Sequence, residues 1–481
     1  MCPYPLLKRI IHFANSPASL EFPMSGHLPV GRIERGARRG RRLAATVLGV
    51  ALAVFALEAA DLRANEQEPP VLRPSVGAET PVAKLPVASD VRIVLSGEIT
   101  RIAFDVTSHL DVRAFVMADP NRVIVDIPET LFAVDPEAGQ KTNVRGRKRA
   151  GEEGSPTGLV ASYRFGKLGA GRSRVVIDLA RPARIVKAAT EASDEGRLRL
   201  LVDLVPTDRA AFAAAAAEAV RAAAPPPAQG LPVSPLGAGS KPVVVLDPGH
   251  GGIDVGAIAK GRAPEKEIVF EFARALEAIL TASGRYQVVM TRTEDVFVPL
   301  NQRVQIARAA NAQLFLSIHA DTLSDGVVSG ATVYTVSDKA SDAHAARLAE
   351  KENFADKVAG FDGAEESGGV SDILFDLARR ETRAYSHVFA RTLVSVWKQA
   401  ARLNKNPIRS AGFTVLKAPD VPSALLELGY MSSEKDSALL SDPEWRGRTA
   451  KAVAASIDQF FAMRAPTKAA EEAAGVASIS Q

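Results

Sequence analysis

Two hydrophobic rhythms divide the chain. From Val91 onward, apolar and polar positions alternate with a period of two: Ile102, Phe104 and Val106 take turns with Arg101, Ala103 and Asp105, as in a half-buried strand. A strand unit with charged ends recurs three times, as Arg122-Val-Ile-Val-Asp126-Ile127, Arg174-Val-Val-Ile-Asp178-Leu179 and Arg199-Leu-Leu-Val-Asp203-Leu204. Repeated units of this kind predict a small all-β sandwich over residues 89–208. Beyond Lys241 the rhythm changes to short unbroken apolar runs at 243–247, 286–291, 314–319, 331–336, 413–417 and 424–428. Such runs predict strands buried on both faces. Between them, Glu267 to Ala282 places Ile268, Phe272, Leu276, Ile279 and Leu280 on one helical face, and 301–311 forms a second amphipathic stretch. Alternating β and α elements predict an α/β domain at 241–463, with a mainly parallel or mixed sheet covered by helices.

The flanks carry a different signal. Arg38-Arg39-Gly40-Arg41-Arg42 precedes an uncharged, mostly apolar run from Leu43 to Leu57, and Leu62-Arg63-Ala64 offers a small-residue cleavage site. This is the order of a secretory signal, and the run is shorter than the roughly 20 residues of a membrane span. Residues 1–64 are therefore expected to be a signal peptide, with Met24 an alternative start, the paired arginines permitting either the general or the twin-arginine export route. Residues 65–88 read as a linker, 209–240 as an Ala-rich helix running into a Pro/Gly tether, and 464–481 as a disordered tail. The signal also explains the net charge of +4: without residues 1–64, 50 basic residues face 51 acidic ones, which excludes an overall nucleic-acid signature. The run Arg145-Gly-Arg-Lys-Arg149 reads as a solvated loop. The only cysteine is Cys2, so disulfides, thiolate ligands and a thiol nucleophile are excluded from the body of the protein.

Candidate chemistry gathers at the ends of the predicted strands. Val243 to Ile258, VVVLDPGHGGIDVGAI, is a buried strand ending in a Gly-rich loop that holds His250. Glu265 follows Pro264 at a helix start, where the helix dipole favours a carboxylate. His319 ends the run LFLSIH, and Glu427 lies inside ALLELGYMSS, where an unpaired carboxylate would be costly. Two histidines and a carboxylate suit a zinc ion that keeps one position for water. Asp321 is a candidate to orient His319, and Glu267 is the rival of Glu265 as ligand. His344 and His387 sit in helical patterns and are expected at the surface. The GHGG loop lacks the Gly-Lys-Ser/Thr ending of a phosphate-binding loop.

The segments LDPGHGGIDVGAI, PEKEIVFEFA, MTRTEDVFVPLNQRV, LFLSIHAD and VPSALLELGYMSS, in this order, resemble the zinc-dependent N-acetylmuramoyl-L-alanine amidases of the Amidase_3 family. Residues 89–205 resemble an AMIN domain, the β-rich module that targets periplasmic amidases to the cell wall. The resemblance implies one zinc ion on His250, Glu265 and His319, with Glu427 as the catalytic carboxylate. It further implies a monomeric periplasmic enzyme that cuts peptidoglycan between N-acetylmuramic acid and L-alanine at the division septum, without nucleic acid or a permanent membrane span. The alternatives are a catalytically silent wall-binding protein and a zinc carboxypeptidase acting on stem peptides.

One segment breaks the pattern. Residues 338–384 separate the strand ending at Val336 from a helix expected near Tyr385, far more than a usual connection of about 4–6 residues. Ser341-Asp342 reads as a helix cap, followed by Ala345, Leu348, Ala349 and Glu352 at helical spacing, a Gly/acidic hinge at 360–369 and an apolar turn at Ile373-Leu374-Phe375. Division amidases resembling this chain carry an inhibitory helix here, displaced by an activator with a LytM-type domain. By analogy, Glu350 or Glu352 reaches the open metal position, and Ile373, Leu374, Phe375 and Leu377 dock the activator.

Overall fold

A computed structural model describes residues 84–464, apart from 136–137, 140–157, 223–240, 323–327, 362–372 and positions 170, 194 and 260. The expected signal peptide, most of the first linker, the Arg145–Arg149 run, the Pro/Gly tether and the C-terminal tail lie outside the described residues. Among the described residues, no helix is long and apolar enough to cross a membrane.

The period-two region forms two facing sheets. One has the order β5-β1-β2-β9-β8, built from β1 (Val87–Ser96), β2 (Ile99–Val106), β5 (Leu131–Phe132), β8 (Ala183–Ala192) and β9 (Leu198–Pro206). The other has the order β3-β4-β7-β6, from β3 (Arg113–Met117), β4 (Arg122–Pro128), β6 (Val160–Gly169) and β7 (Arg172–Leu179). Alternate residues meet between them, including Ile102, Phe104, Val123, Val125, Val175 and Val202. The charged strand ends pair across strands on the outer faces. Asp126 opposes Arg174 and Arg122 opposes Asp178 between β4 and β7, while Arg101 opposes Asp203 and Asp105 opposes Arg199 between β2 and β9. Arg101 to Asp105 on β2 is thus a fourth copy of the repeated unit. Helix α1 (Arg209–Ala222), expected to begin the tether, buries Phe212 and Ala216 in the sandwich core.

The second region holds a six-stranded mixed sheet of order β11-β10-β12-β15-β13-β14. Its strands are β10 (Val243–Pro248), β11 (Gln287–Met290), β12 (Leu314–His319), β13 (Ala331–Val336), β14 (Leu403–Ala411) and β15 (Ser423–Glu427). All neighbouring pairs are parallel except β13 and β15. Helices α2 (Glu265–Ala282), α6 (Ile373–Trp397) and α8 (Pro443–Arg464) bury Phe272, Leu276, Phe389, Trp397, Ile457 and Phe460 against one face. The other face is covered by α3 (Leu300–Ala309) and α4 (Ala343–Asn353), with the single turn α5 (Ala355–Val358) following and α7 (Glu434–Leu440) near the end of the domain.

Three expectations need correction. The run 413–417 is a 3-10 turn over Thr414–Leu416 whose Val415 and Leu416 are core residues; a short apolar run does not distinguish a strand from a buried turn. The strand lies earlier, at β14, which is mostly polar because it is an edge with one neighbour. The helix expected near Tyr385 begins at Ile373, so Ile373-Leu374-Phe375 is helical rather than a turn. The side chains of Ile373, Leu374, Phe375 and Leu377, the expected activator contacts, lie outside the described residues.

A buried ion pair ties β10 to α3. Arg303 donates to Asp247 Oδ1 (2.8 Å), and both side chains are shielded from water. Burial alone would raise the Asp247 carboxyl, but Arg303 and the hydroxyls of Thr291 and Ser317 hold it below the usual carboxylate range. A depressed pKa contributes stability above the unfolded value of about 3.9, and that stability is lost as the pH falls through the folded value. We therefore expect Arg303→Met to lower the unfolding free energy by about 3–5 kcal/mol at pH 7. Urea titrations at a series of pH values should show this loss shrinking below about pH 4, as Asp247 becomes neutral.

Candidate metal centre

Parallel strands deliver their C-terminal ends to one edge, and four of the sequence-predicted residues arrive there. His250 lies two residues past the end of β10 and Glu265 is the first residue of α2, while His319 and Glu427 end β12 and β15. His319 and Glu427 are direct partners in the ladder between their strands, so the register sets them side by side. The loop to His250 is tightly confined. A Cβ at Gly249 would stand 2.4 Å from the His319 ring, and one at Gly256 within 2.8 Å of His250 and Glu265. His250 itself adopts a left-handed backbone (φ 58°). That conformation is stabilised from outside the loop: Arg303 donates to the carbonyls of Pro248, His250 and Val298, and Arg292 to those of Pro248, Gly249 and Lys266. Burial and the neighbouring Arg303 push Arg292 down to about 10.

Ligand atoms converge on one point. His250 Nε2 is 3.1 Å and His319 Nδ1 3.4 Å from Glu265 Oε1. Glu352 Oε2, from α4, stands 3.2 Å from His319 Nδ1 and 3.8 Å from His250 Nε2. Ligands held about 2.0–2.2 Å from a tetrahedral ion are about 3.3–3.6 Å apart, close to these separations. His250 Nε2 and His319 Nδ1 are buried and have no hydrogen-bond partner among the described residues, as do Glu427 Oε1 and Asp321 Oδ2. Glu265, Glu352, Glu427 and Asp321 bring four carboxyls into this buried edge, and Lys351 is the cation facing Asp321. Two histidines with orphaned nitrogens inside a ring of carboxylates fit a bound divalent cation.

The surrounding contacts fix each group. His250 Nδ1 meets Asp254 Oδ2 at 2.8 Å, leaving Nε2 toward the centre. Glu265 is locked by the amides of Ala257 and Ala320, both at 2.8 Å. Burial opposes charge on His250, but Asp254, Glu265 and Glu352 hold it well above the usual imidazole range. Glu427 accepts from the Asp321 amide (3.0 Å). Burial, then Asp321 and Glu265, hold its carboxyl well above the usual range, while burial with Glu265 and Glu352 pushes Asp321 up to about 7.

Several expectations resolve differently. Among the described residues no hydrogen bond joins Asp321 to the His319 ring. Asp321 Oδ1 instead receives Thr322 N and Lys351 Nζ. The orienting carboxylate is Asp254, which binds His250; its signal was a second acid four residues after the histidine within the Gly-rich loop. Glu267 is exposed, one helical face away from Glu265. Of the two glutamates in the inserted segment, Glu352 reaches the metal edge, whereas Glu350 is exposed on a groove of about 930 Å³ that it shares with Lys351, Tyr163 and Arg164. The buried face of α4 is Ala345, Leu348, Ala349 and Glu352, and Asp342 caps the helix by accepting from the amides of His344 and Ala345. His344, expected at the surface, is partly buried with its ring 6.3 Å from that of Tyr430, since α4 packs onto the sheet; His387 is exposed.

Residues 244–459 match the family model described as N-acetylmuramoyl-L-alanine amidase, and residues 90–204 match the AMIN domain. An Escherichia coli relative, "N-acetylmuramoyl-L-alanine amidase AmiC", is 30% identical over 383 residues, covering 77% of this chain and 89% of that protein. The chain belongs to the N-acetylmuramoyl-L-alanine amidases. Escherichia coli K12 AmiA is 38% identical over 224 residues, which are 46% of this chain and 77% of AmiA. Among solved structures, amidase AmiC2 of Nostoc punctiforme is 29% identical, with a TM-score of 0.33, covering 46% of this chain and 98% of its own.

If Asp254 sets the His250 tautomer in this amidase, Asp254→Ala should weaken metal binding about 10–100-fold in competition with a chromogenic chelator. Glu350→Ala should leave the same titration unchanged.

Proposed function

We propose that this amidase is an exported, periplasmic cell-wall hydrolase that cuts the amide between N-acetylmuramic acid and the L-alanine of the stem peptide, separating daughter cells at the septum. The observation that carries this reading is the buried convergence of two orphaned imidazole nitrogens with Glu265 beside Glu427 at one strand edge. In this reading His250, Glu265 and His319 hold zinc, and Glu352 occupies the position from which substrate and water must enter. Bound there, zinc would supply Lewis acidity at the scissile carbonyl and lower the pKa of water toward about 7. The groove beside α4 admits the glycan and stem peptide once α4 has moved. Glu427, raised by its buried surroundings, takes the proton from attacking water and passes it to the departing amine of L-alanine. The amide of Asp321 keeps Glu427 Oε2 in place and leaves Oε1 free for this transfer.

The inserted segment closes the enzyme at two points. Glu352 faces both histidines, and one residue earlier Lys351 pairs with the buried Asp321. An activator, expected by family resemblance to be of the LytM type, would have to draw α4 away and break both contacts. The AMIN-type sandwich supports a wall-targeting role, and the division-site assignment follows the family resemblance of the sequence.

The decisive experiment digests purified sacculi with the full chain and with Glu352→Ala, each with zinc and with chelator. We expect Glu352→Ala to release free stem peptides and peptide-free glycan strands without a partner, while the intact chain is nearly silent. Stem peptides shortened at their C-terminal end but still attached to glycan would instead establish a carboxypeptidase. Glu427→Gln on the Glu352→Ala background should keep its zinc and lose about 10²–10⁴ in rate. His319→Ala should lose zinc itself, read by metal analysis. Near-normal turnover of the Glu427→Gln protein would remove that residue from the mechanism.

A further inference from the structure

The repeated charged strand units of the sandwich have two different fates. On the sheet containing β2 and β9, Arg101 pairs with Asp203 (2.6 Å) and Arg199 with Asp105 (2.9 Å), with the Arg101 side chain still 41% exposed. On the sheet containing β4 and β7 the equivalent ladder is covered by the catalytic domain. Arg174 binds Asp126 through two bonds of 2.6 and 2.9 Å, and its side chain is only 7% exposed. Its remaining donors reach Ala359 O (3.0 Å) and Gly360 O (2.9 Å), and its guanidinium lies 4.9 Å from the Phe361 ring centre. Arg164, paired with Asp178, donates to Val358 O (2.9 Å). Val358 ends α5 and Ala359 and Gly360 follow it, where the helical ladder supplies no donors to these carbonyls.

Apolar packing reinforces the contact. Met117, Ile124 and Val176 point outward from the same sheet and bury against Ile253, Phe297 and Ala359. Gly360 has a left-handed backbone (φ 76°), and a Cβ there would come 2.6 Å from Ile124 Cδ1. The β6–β7 end reaches the metal loop's surroundings as well, with Lys167 O accepting from Phe297 N (3.3 Å) and Lys167 Nζ bound to Glu294 (2.7 Å). One sheet face therefore grips both Ile253, three residues after His250, and Val358 to Gly360, six to eight residues after Glu352.

We propose that this face of the sandwich is an intramolecular latch: beyond any affinity for the wall, its docking on 358–361 holds α4 and Glu352 over the metal edge, and undocking lets the segment leave. The inference rests on the reading of Glu352 as the closing residue, and its test separates the two. Ile124→Lys places a charge in the dry interface, and Arg164→Met removes one carbonyl contact while Asp178 keeps its bond to Ser162 Oγ. Arg101→Met, on the uncovered ladder, is the control. In the full-length, zinc-loaded protein, hydrogen exchange across 343–361 should rise about tenfold or more in both interface variants. Exchange across β1 and β2 should stay at wild-type levels, and Arg101→Met should change neither region. Turnover of labelled sacculi without a partner should rise in parallel. Faster exchange without faster turnover would keep the latch and refute Glu352 as inhibitor. Wild-type exchange of 343–361 in a folded Ile124→Lys protein would overturn the latch. Should Ile124→Lys unfold the sandwich, Arg164→Met decides by the same two readouts.

Discussion

The guanidinium of Arg303 is nearly lost from solvent, yet its donors reach one carboxylate and three carbonyls, and all but one of those acceptors belong to the stretch Asp247 to His250. A loop that must turn left-handed at His250 exposes carbonyls that no strand partner satisfies. Leaving them bare inside the protein would cost about 1–3 kcal/mol each. Arg303 and Arg292 supply the missing donors in forks that a lysine cannot reproduce. Asp247 makes burial of the Arg303 charge tolerable, and Ser317 and Thr291 complete the shell around Asp247. The metal edge is thus held from beneath by a polar cluster, so the loop's shape is set before any ion binds.

What the sequence revealed follows from the same geometry. His250, Glu265, His319 and Glu427 were legible because each stands at an element boundary that hydrophobic rhythm marks well, and parallel strands carry such boundaries to a common edge. Their supports were not legible. Arg303 occupies the buried face of an otherwise ordinary amphipathic helix, and an arginine on that face was the available signal. Asp254 depends on the fold of a Gly-rich loop, which no periodicity describes. The edge strand β14 was missed because an edge needs little apolar surface, whereas the apolar run after it turned out to be a core turn. The choice between Glu350 and Glu352 needed only the helical phase: Ala345, Leu348 and Ala349 define the inward face, and Glu352 continues it.

The docking of the two domains was beyond sequence reading for a different reason. The charged strand units look alike in all copies, and only the partner distinguishes them. Arg101 and Arg199 pair within their own sheet and take no contact from the catalytic domain among the described residues. Arg174 has the same sequence environment but lies under α5, where the carbonyls of Ala359 and Gly360 use donors that water would otherwise satisfy. A repeat built for one purpose, stabilising strand pairs, has one face available for another.

The energetics of closure set limits on any activator of this amidase. Moving a closed ensemble from about 1% to 99% open requires about 5.5 kcal/mol of differential binding. On the proposed reading the closed state is held by Glu352 at the metal edge, by Lys351 on Asp321 and by Arg164 and Arg174 on the end of α5. Hydrogen bonds to charged groups are worth about 1.5–3 kcal/mol each, so removing any single one raises the open population by about tenfold or more while the others still oppose opening. A partner that binds only the outer surface of the segment must overcome all of them together. One that also loosens the sandwich removes part of the restraint at a distance from the metal, and needs less affinity for the open segment itself. Closure divided between a metal-facing carboxylate and a domain interface is therefore secure against thermal opening yet sensitive to events at either end.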